Sequence, residues 1–129
     1  MSYPVALIGF VRPDLISRRL DEILPQLENS NPVYVFVDGP RKLEDLRWIL
    51  KIHEIANIYS SQSNIRFVFR KKNLGCSENL VSAVTEVCAL HDGVIVVEDD
   101  VSISPQFLKA LSEVLDSWNP SSDWLTVGG

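Results

Sequence analysis

Short, almost wholly apolar runs alternate along this chain with longer stretches in which apolar residues return every three or four positions. The first pattern suits strands buried on both faces, and the second suits helices laid against them. Their alternation predicts an α/β fold: a mostly parallel, Rossmann-like sheet between two helical layers. The strand-like runs are Tyr3–Val11, Val33–Asp38, Ile65–Arg70, Gly93–Glu98 and a last one at Trp124–Val127, nearly all too apolar for sheet edges. In the first helical stretch Ile16, Leu20, Ile23 and Leu27 share a face, Pro13 fits a first turn, and Pro25 bends or ends the helix. A second helix is predicted over Leu43–Ile58, with Leu46, Leu50 and His53 on one side. The third carries Leu80, Val81, Val84, Val87 and Cys88 as its stripe, with Ser77 as N-cap. The fourth starts at Ser104 and Pro105 and turns Phe107, Leu108, Leu111, Leu115 and Trp118 inward.

A chain of 129 residues, 46% hydrophobic and 22% charged, is sized and composed for one domain, residues 1–129. Twelve Lys and Arg against 17 Asp and Glu leave a net charge of −5, which argues against a general nucleic-acid footprint. Val5–Ile8 and Val94–Val97 are among the longest apolar stretches, far short of the ~20 residues that span a bilayer, so no membrane span is expected. The N-terminus lacks a basic leader and runs directly into a core strand, which favours a cytoplasmic location. Cys76 and Cys88 fit neither a paired-thiol zinc motif nor a disulfide scaffold and read as reduced, structural thiols.

In a doubly wound sheet, ligands bind beyond the carboxyl ends of the strands. Those exits are polar here, and the most unusual is Glu98-Asp99-Asp100 after four branched apolar residues. Adjacent carboxylates repel one another and resist desolvation, so they are tolerated where water or a cation meets them. A hard divalent cation bound to a diphosphate often needs only one or two protein carboxylates, which leaves the other acids for sugar hydroxyls. A solvated acidic turn ahead of a helix is the plainer alternative. Asp38, leaving the second strand, is placed to accept from the N–H of a base, although Asp-Gly is also a common turn. Arg12 offers stacking or hydrogen bonding to a nucleotide, or is an ordinary surface residue. Arg70, Lys71 and Lys72 are a phosphate-complementing cluster or a solvated exit. His53 reads as a packed or half-exposed helix residue and His91 as part of a helix C-terminus, and neither is a candidate base. No GxGxxG, P-loop or serine-elbow pattern occurs.

The stretch "VIVVEDDVSISPQFLKAL" resembles the strand, acidic motif and following helix of GT-A fold glycosyltransferases, and is most similar to the N-acetylglucosaminyltransferase I type. "PVALIGFVRPDLISRRLDEIL" resembles that family's first strand, nucleotide-contacting Arg and first helix, and "NPSSDWLTVGG" its approach to the next strand. The resemblance implies a nucleotide-diphosphate sugar, in particular a UDP-sugar, as ligand. It gives Asp100 to Mn²⁺ or Mg²⁺, Glu98 and Asp99 to the nucleotide sugar and chiefly its ribose, and Arg12 and Asp38 to the base. Asn79 stands where the family presents a further nucleotide-side contact, usually a His. In the family the catalytic base and acceptor site lie further along, so the chain resembles the donor-binding half of a transferase whose reaction inverts the anomeric centre. Apolar surface near Trp118, Trp124 and Val127 then favours self-association. A receiver-like regulatory module is the rival from another class. It needs an acid pair after the first strand and a Lys late in the chain, whereas the acids here are bunched after the fourth strand.

Overall fold

The computed structural model describes residues 3–117. Four strands, β1 (Val5–Gly9), β2 (Val33–Val37), β3 (Ile65–Phe69) and β4 (Ile95–Glu98), form one parallel sheet in the order β3-β2-β1-β4. The α/β reading holds, and each strand coincides with a predicted run. The strand predicted at Trp124–Val127, together with Trp118, lies outside the described residues.

Every residue of β1 is buried, as expected of a strand flanked on both sides and covered on both faces. Val5 and Leu7 face one layer with Val33, Val35, Val37 and Val97. Helices α1 (Pro13–Ile23), α2 (Asp45–Ile58) and α4 (Phe107–Ser117) cover that side through Ile16, Leu20, Ile23, Ile52 and Leu108. Ala6, Ile8 and Phe36 face the other, where α3 (Cys76–Cys88) supplies Ala83 and Val87. Each fully buried Leu, Ile or Val contributes about 1.5–3 kcal/mol, so this two-sided core is the main cohesive term. β3 and β4 are the outer strands of the described sheet, and in β3 Ile65 is buried, Arg66 exposed and Phe67, Val68 and Phe69 half-buried.

The α1 stripe is as predicted: Pro13 stands at the first helical position, and after Ile23 a 3₁₀ turn, Leu24–Gln26, takes up Pro25. In α2 the buried face is Asp45, Ile49 and Ile52, while Leu46 and Leu50 are exposed. Two apolar stripes run side by side on this helix, and tertiary packing selects the β-branched one. His53 is exposed at its edge but lies flat on Phe69, with ring centroids 3.6 Å apart. In α3 Asn79, Ala83 and Val87 are buried, and Val81 and Cys88 of the predicted stripe are exposed. Gly75, at φ 85°, occupies the N-cap instead of Ser77, because the chain enters the helix through a positive-φ, extended residue that glycine adopts without strain. α4 starts at Phe107, two residues beyond Pro105, with Leu108 buried and Phe107, Leu111 and Leu115 half-buried against the core. Cys76 and Cys88 are free and exposed, so neither is a structural core thiol.

Candidate functional site

The ladder runs one residue past the strands. Asp38 N–H donates to the Gly9 carbonyl at 3.0 Å, Asp99 N–H to Ile8 at 3.0 Å, and Arg70 N–H to Val37 at 2.9 Å. Asp38 and Asp99 therefore leave the sheet on either side of the end of β1, and Arg12 follows β1 as the N-cap residue of α1. Four of the residues picked out from the sequence are thus brought to one edge by topology alone.

Arg12 Nη2 donates to Asp99 Oδ1 at 2.9 Å, with the arginine side chain 50% exposed and the aspartate side chain 3% exposed. Asp99 Oδ2 is buried and makes no well-formed hydrogen bond, although the Phe10 and Asp100 amides lean toward the carboxylate. Burial raises the Asp99 carboxyl above its ordinary value, Arg12 opposes that rise, and Asp100 adds to it. A Cβ at Gly9 would meet the Ile16 side chain at 2.9 Å and only touch Asp99 Oδ2, at 3.4 Å. Glu98 is half-buried, with Oε1 3.8 Å from Cys76 Sγ, and Asp100 is exposed. The Cys76 thiol is pushed up by desolvation, then by Glu98, Asp100 and Asp99, which reports the negative field of the triplet.

Asp38 and Asn79 are turned inward. Asp38 is 4% exposed. Its Oδ1 accepts from Gly39 N–H and Leu74 N–H, both at 2.8 Å, and its Oδ2 accepts from Gly75 N–H at 3.0 Å and Asn73 Nδ2 at 3.2 Å. Asn79, 1% exposed, accepts from Arg70 Nε at 3.1 Å. Arg70 itself forks onto Glu86 at 3.1 and 2.6 Å and lies over the Phe36 ring, so of the basic cluster only Lys71 and Lys72 are exposed.

Several participants carried no signal in the sequence. Glu22 of α1 accepts from Ser102 Oγ at 3.0 Å and Ile103 N–H at 3.2 Å. Gln26 donates to the Ser104 carbonyl and accepts from Leu108 N–H, at 2.9 and 3.0 Å, so it caps α4 from another helix. An open cleft of about 310 Å³ lies between residues 11–15, Arg18 and Trp48 of α2. On the sequence Glu22 and Gln26 resemble any solvated helix face, and Trp48 gives no cue to its partners.

Among the described residues no three His, Cys, Asp or Glu side chains converge as a metal cage. The donor set still suits a hard cation that draws its remaining ligands from a diphosphate and water: an exposed Asp100 beside a half-buried Glu98 provides one or two carboxylate oxygens.

No family model and no curated protein matches this chain by sequence. Solved structures do match in fold. S. aureus TarS residues 1–349 superposes with a TM-score of 0.64 at 18% identity, over 90% of this chain and 32% of that one. Its complex with UDP-GlcNAc gives 0.63 at 18% identity over 90% and 31%, and its complex with UDP 0.61 at 18% identity over 90% and 32%. What is shared is the fold, a parallel α/β sheet covered by helices. At this identity the likeness is one of fold, it does not single out the N-acetylglucosaminyltransferase I type, and this chain spans about a third of the TarS 1–349 length. No helix among the described residues is long and apolar enough to cross a membrane.

Proposed function

We propose that this chain binds a UDP-sugar as the donor-binding part of a glycosyltransferase. The observation that carries the reading is the end of β1 and β4, where a buried carboxylate, Asp99, is held by one half-exposed arginine and keeps an oxygen without a well-formed partner beside the exposed Asp100. An unsatisfied buried acceptor is costly, and a small turn of the Asp99 carboxylate toward the exposed Asp100 would offer it to ribose or sugar hydroxyls. The fold shared with TarS, whose structures include UDP and UDP-GlcNAc complexes, supports the same ligand class.

On this reading Arg12 borders the base, Glu98 and Asp99 take the ribose and sugar hydroxyls, and Asp100 holds Mn²⁺ or Mg²⁺. Asp38 and Asn79 build the floor of that end of the site. The cation, when bound, neutralises the diphosphate and the charge that develops as the sugar departs. This chain's own contribution is to orient the nucleotide across the ends of β1, β2 and β4 and, through Arg12, to oppose the rise that burial imposes on the Asp99 carboxyl. Calorimetric titration with UDP and UDP-GlcNAc, with and without Mn²⁺, tests the reading. Binding that strengthens with the metal is expected, and absence of heat and of thermal stabilisation with both present would sink it.

A further inference from the structure

Asp38 was placed by its sequence position among the groups that read the base. Its hydrogen bonds lead elsewhere. An ionised carboxylate offers about four lone-pair sites, and here all four are taken by N–H donors of the chain itself, three of them from Asn73, Leu74 and Gly75 of the β3–α3 loop. The two loops also touch backbone to backbone, since a Cβ on Gly39 would lie 2.4 Å from the Lys72 carbonyl carbon. Asn73 Nδ2 closes the contact by donating to the Gly39 carbonyl at 2.9 Å. Six residues after Asn73, Asn79 ties Arg70 at the other end of the same loop.

We infer that Asp38 is a positioning residue: it holds the β3–α3 loop, with its exposed Lys71 and Lys72 and the positive-φ entry to α3 at Gly75, against the end of β2, and does not itself select the base. The inference rests on the UDP-sugar reading for its ligand, and on the Asp38 bonds alone for its mechanism. Lys71 and Lys72 lie between the two tied points, so a fixed loop presents two cations to an anionic ligand in one arrangement. Such preorganisation raises affinity by removing an ordering cost at binding. Gly75 gains most from the clamp, because glycine has the most backbone freedom to lose.

The experiment compares the parent with Asp38→Asn and Asn73→Ala. Asn keeps one acceptor for Gly39 and Leu74 but sets an NH₂ against the Gly75 and Asn73 donors. Asn73→Ala leaves the aspartate intact and removes one tether. Two quantities are read: amide hydrogen exchange at Leu74 and Gly75, and the ratio of affinities for UDP and CDP, whose bases present opposite hydrogen-bonding character at N3. A positioning role predicts faster exchange at both amides in Asp38→Asn. It also predicts an affinity loss of about tenfold or more for UDP and CDP alike, with the UDP/CDP ratio unchanged, and a smaller loss of the same kind in Asn73→Ala. A collapse of the ratio in Asp38→Asn with the two amides still protected would overturn the inference, as would unchanged exchange in both variants. If the parent binds neither nucleotide, the UDP-sugar reading falls, while the exchange arm still decides whether Asp38 holds the loop.

Discussion

Replacing Arg12 by alanine isolates the electrostatics at the centre of the site. The pair spans 2.9 Å between Nη2 and Oδ1, with the aspartate side chain 3% and the arginine side chain 50% exposed. Opposite charges centred ~4 Å apart attract by about 1 kcal/mol in bulk water and about 4 kcal/mol at an effective dielectric of 20. Half the arginine is in water, so the screened end of that range applies, and Arg12→Ala should cost about 1–2 kcal/mol near neutral pH. The pH dependence distinguishes this from lost packing. Burial already holds the Asp99 carboxyl above its ordinary value of 3.8, and removing Arg12 lifts it further. A raised folded-state value means that the native protein keeps a proton the unfolded chain has released, so stability falls as pH rises from the ordinary value through the folded one. The Arg12→Ala penalty should therefore be full above the variant's raised folded value and fade on acidification, as Asp99 becomes protonated in both proteins. Urea unfolding of the parent, Arg12→Ala, Asp99→Asn and the double variant, from about pH 8 to about pH 4, gives both the profile and the coupling energy. A penalty that is flat with pH, or a coupling below ~0.3 kcal/mol, would refute the argument.

Asp100→Asn should retain the fold and abolish the gain in melting temperature that Mn²⁺ and UDP together give the parent, because Asn supplies an oxygen without the charge that binds a hard cation; a retained gain would remove Asp100 from the metal. Gln26→Ala should cost about 1–2 kcal/mol in chemical denaturation, since it removes the group that accepts from Leu108 N–H and holds the Ser104 carbonyl; an unchanged midpoint would mean that water replaces it. Asp45 lies below its ordinary value, chiefly through its hydrogen bond from Arg41. It stabilises the fold above pH 3.8, and that contribution is lost as pH falls through its lower folded value. Arg41→Ala should flatten that acid limb of the stability curve, and an unaltered limb would count against the assignment.

The sheet was legible because a strand buried on both faces has to be apolar throughout, as Val5–Gly9 and Val33–Val37 are. The α1 stripe was legible because one face alone is apolar. In α2 two stripes compete, so periodicity could not tell Leu46 and Leu50 from Ile49 and Ile52. Position identified Arg12, Asp38 and Asp99 as strand-exit residues, but not what each touches. Asp38 and Leu74 are 36 residues apart and Arg12 and Asp99 are 87 apart, so these bonds exist only after the sheet has assembled. Gly75 was passed over because no local dipeptide announces its positive φ, and its amide is held by Asp38, 37 residues away.

Helix α1 touches the segment that follows β4 at both of its ends: Arg12 at its start meets Asp99, and Glu22, with Gln26 just beyond it, reaches Ser102, Ile103, Ser104 and Leu108. Two stretches far apart in the sequence are therefore bound into one structural unit. A recombinant that imports the acidic turn from another protein without the matching α1 would strand Glu22 and Gln26 without their partners and leave the incoming acid without its arginine. Shuffling experiments and ancestral exchanges across this sheet should succeed only when residues 10–26 and 98–108 travel together.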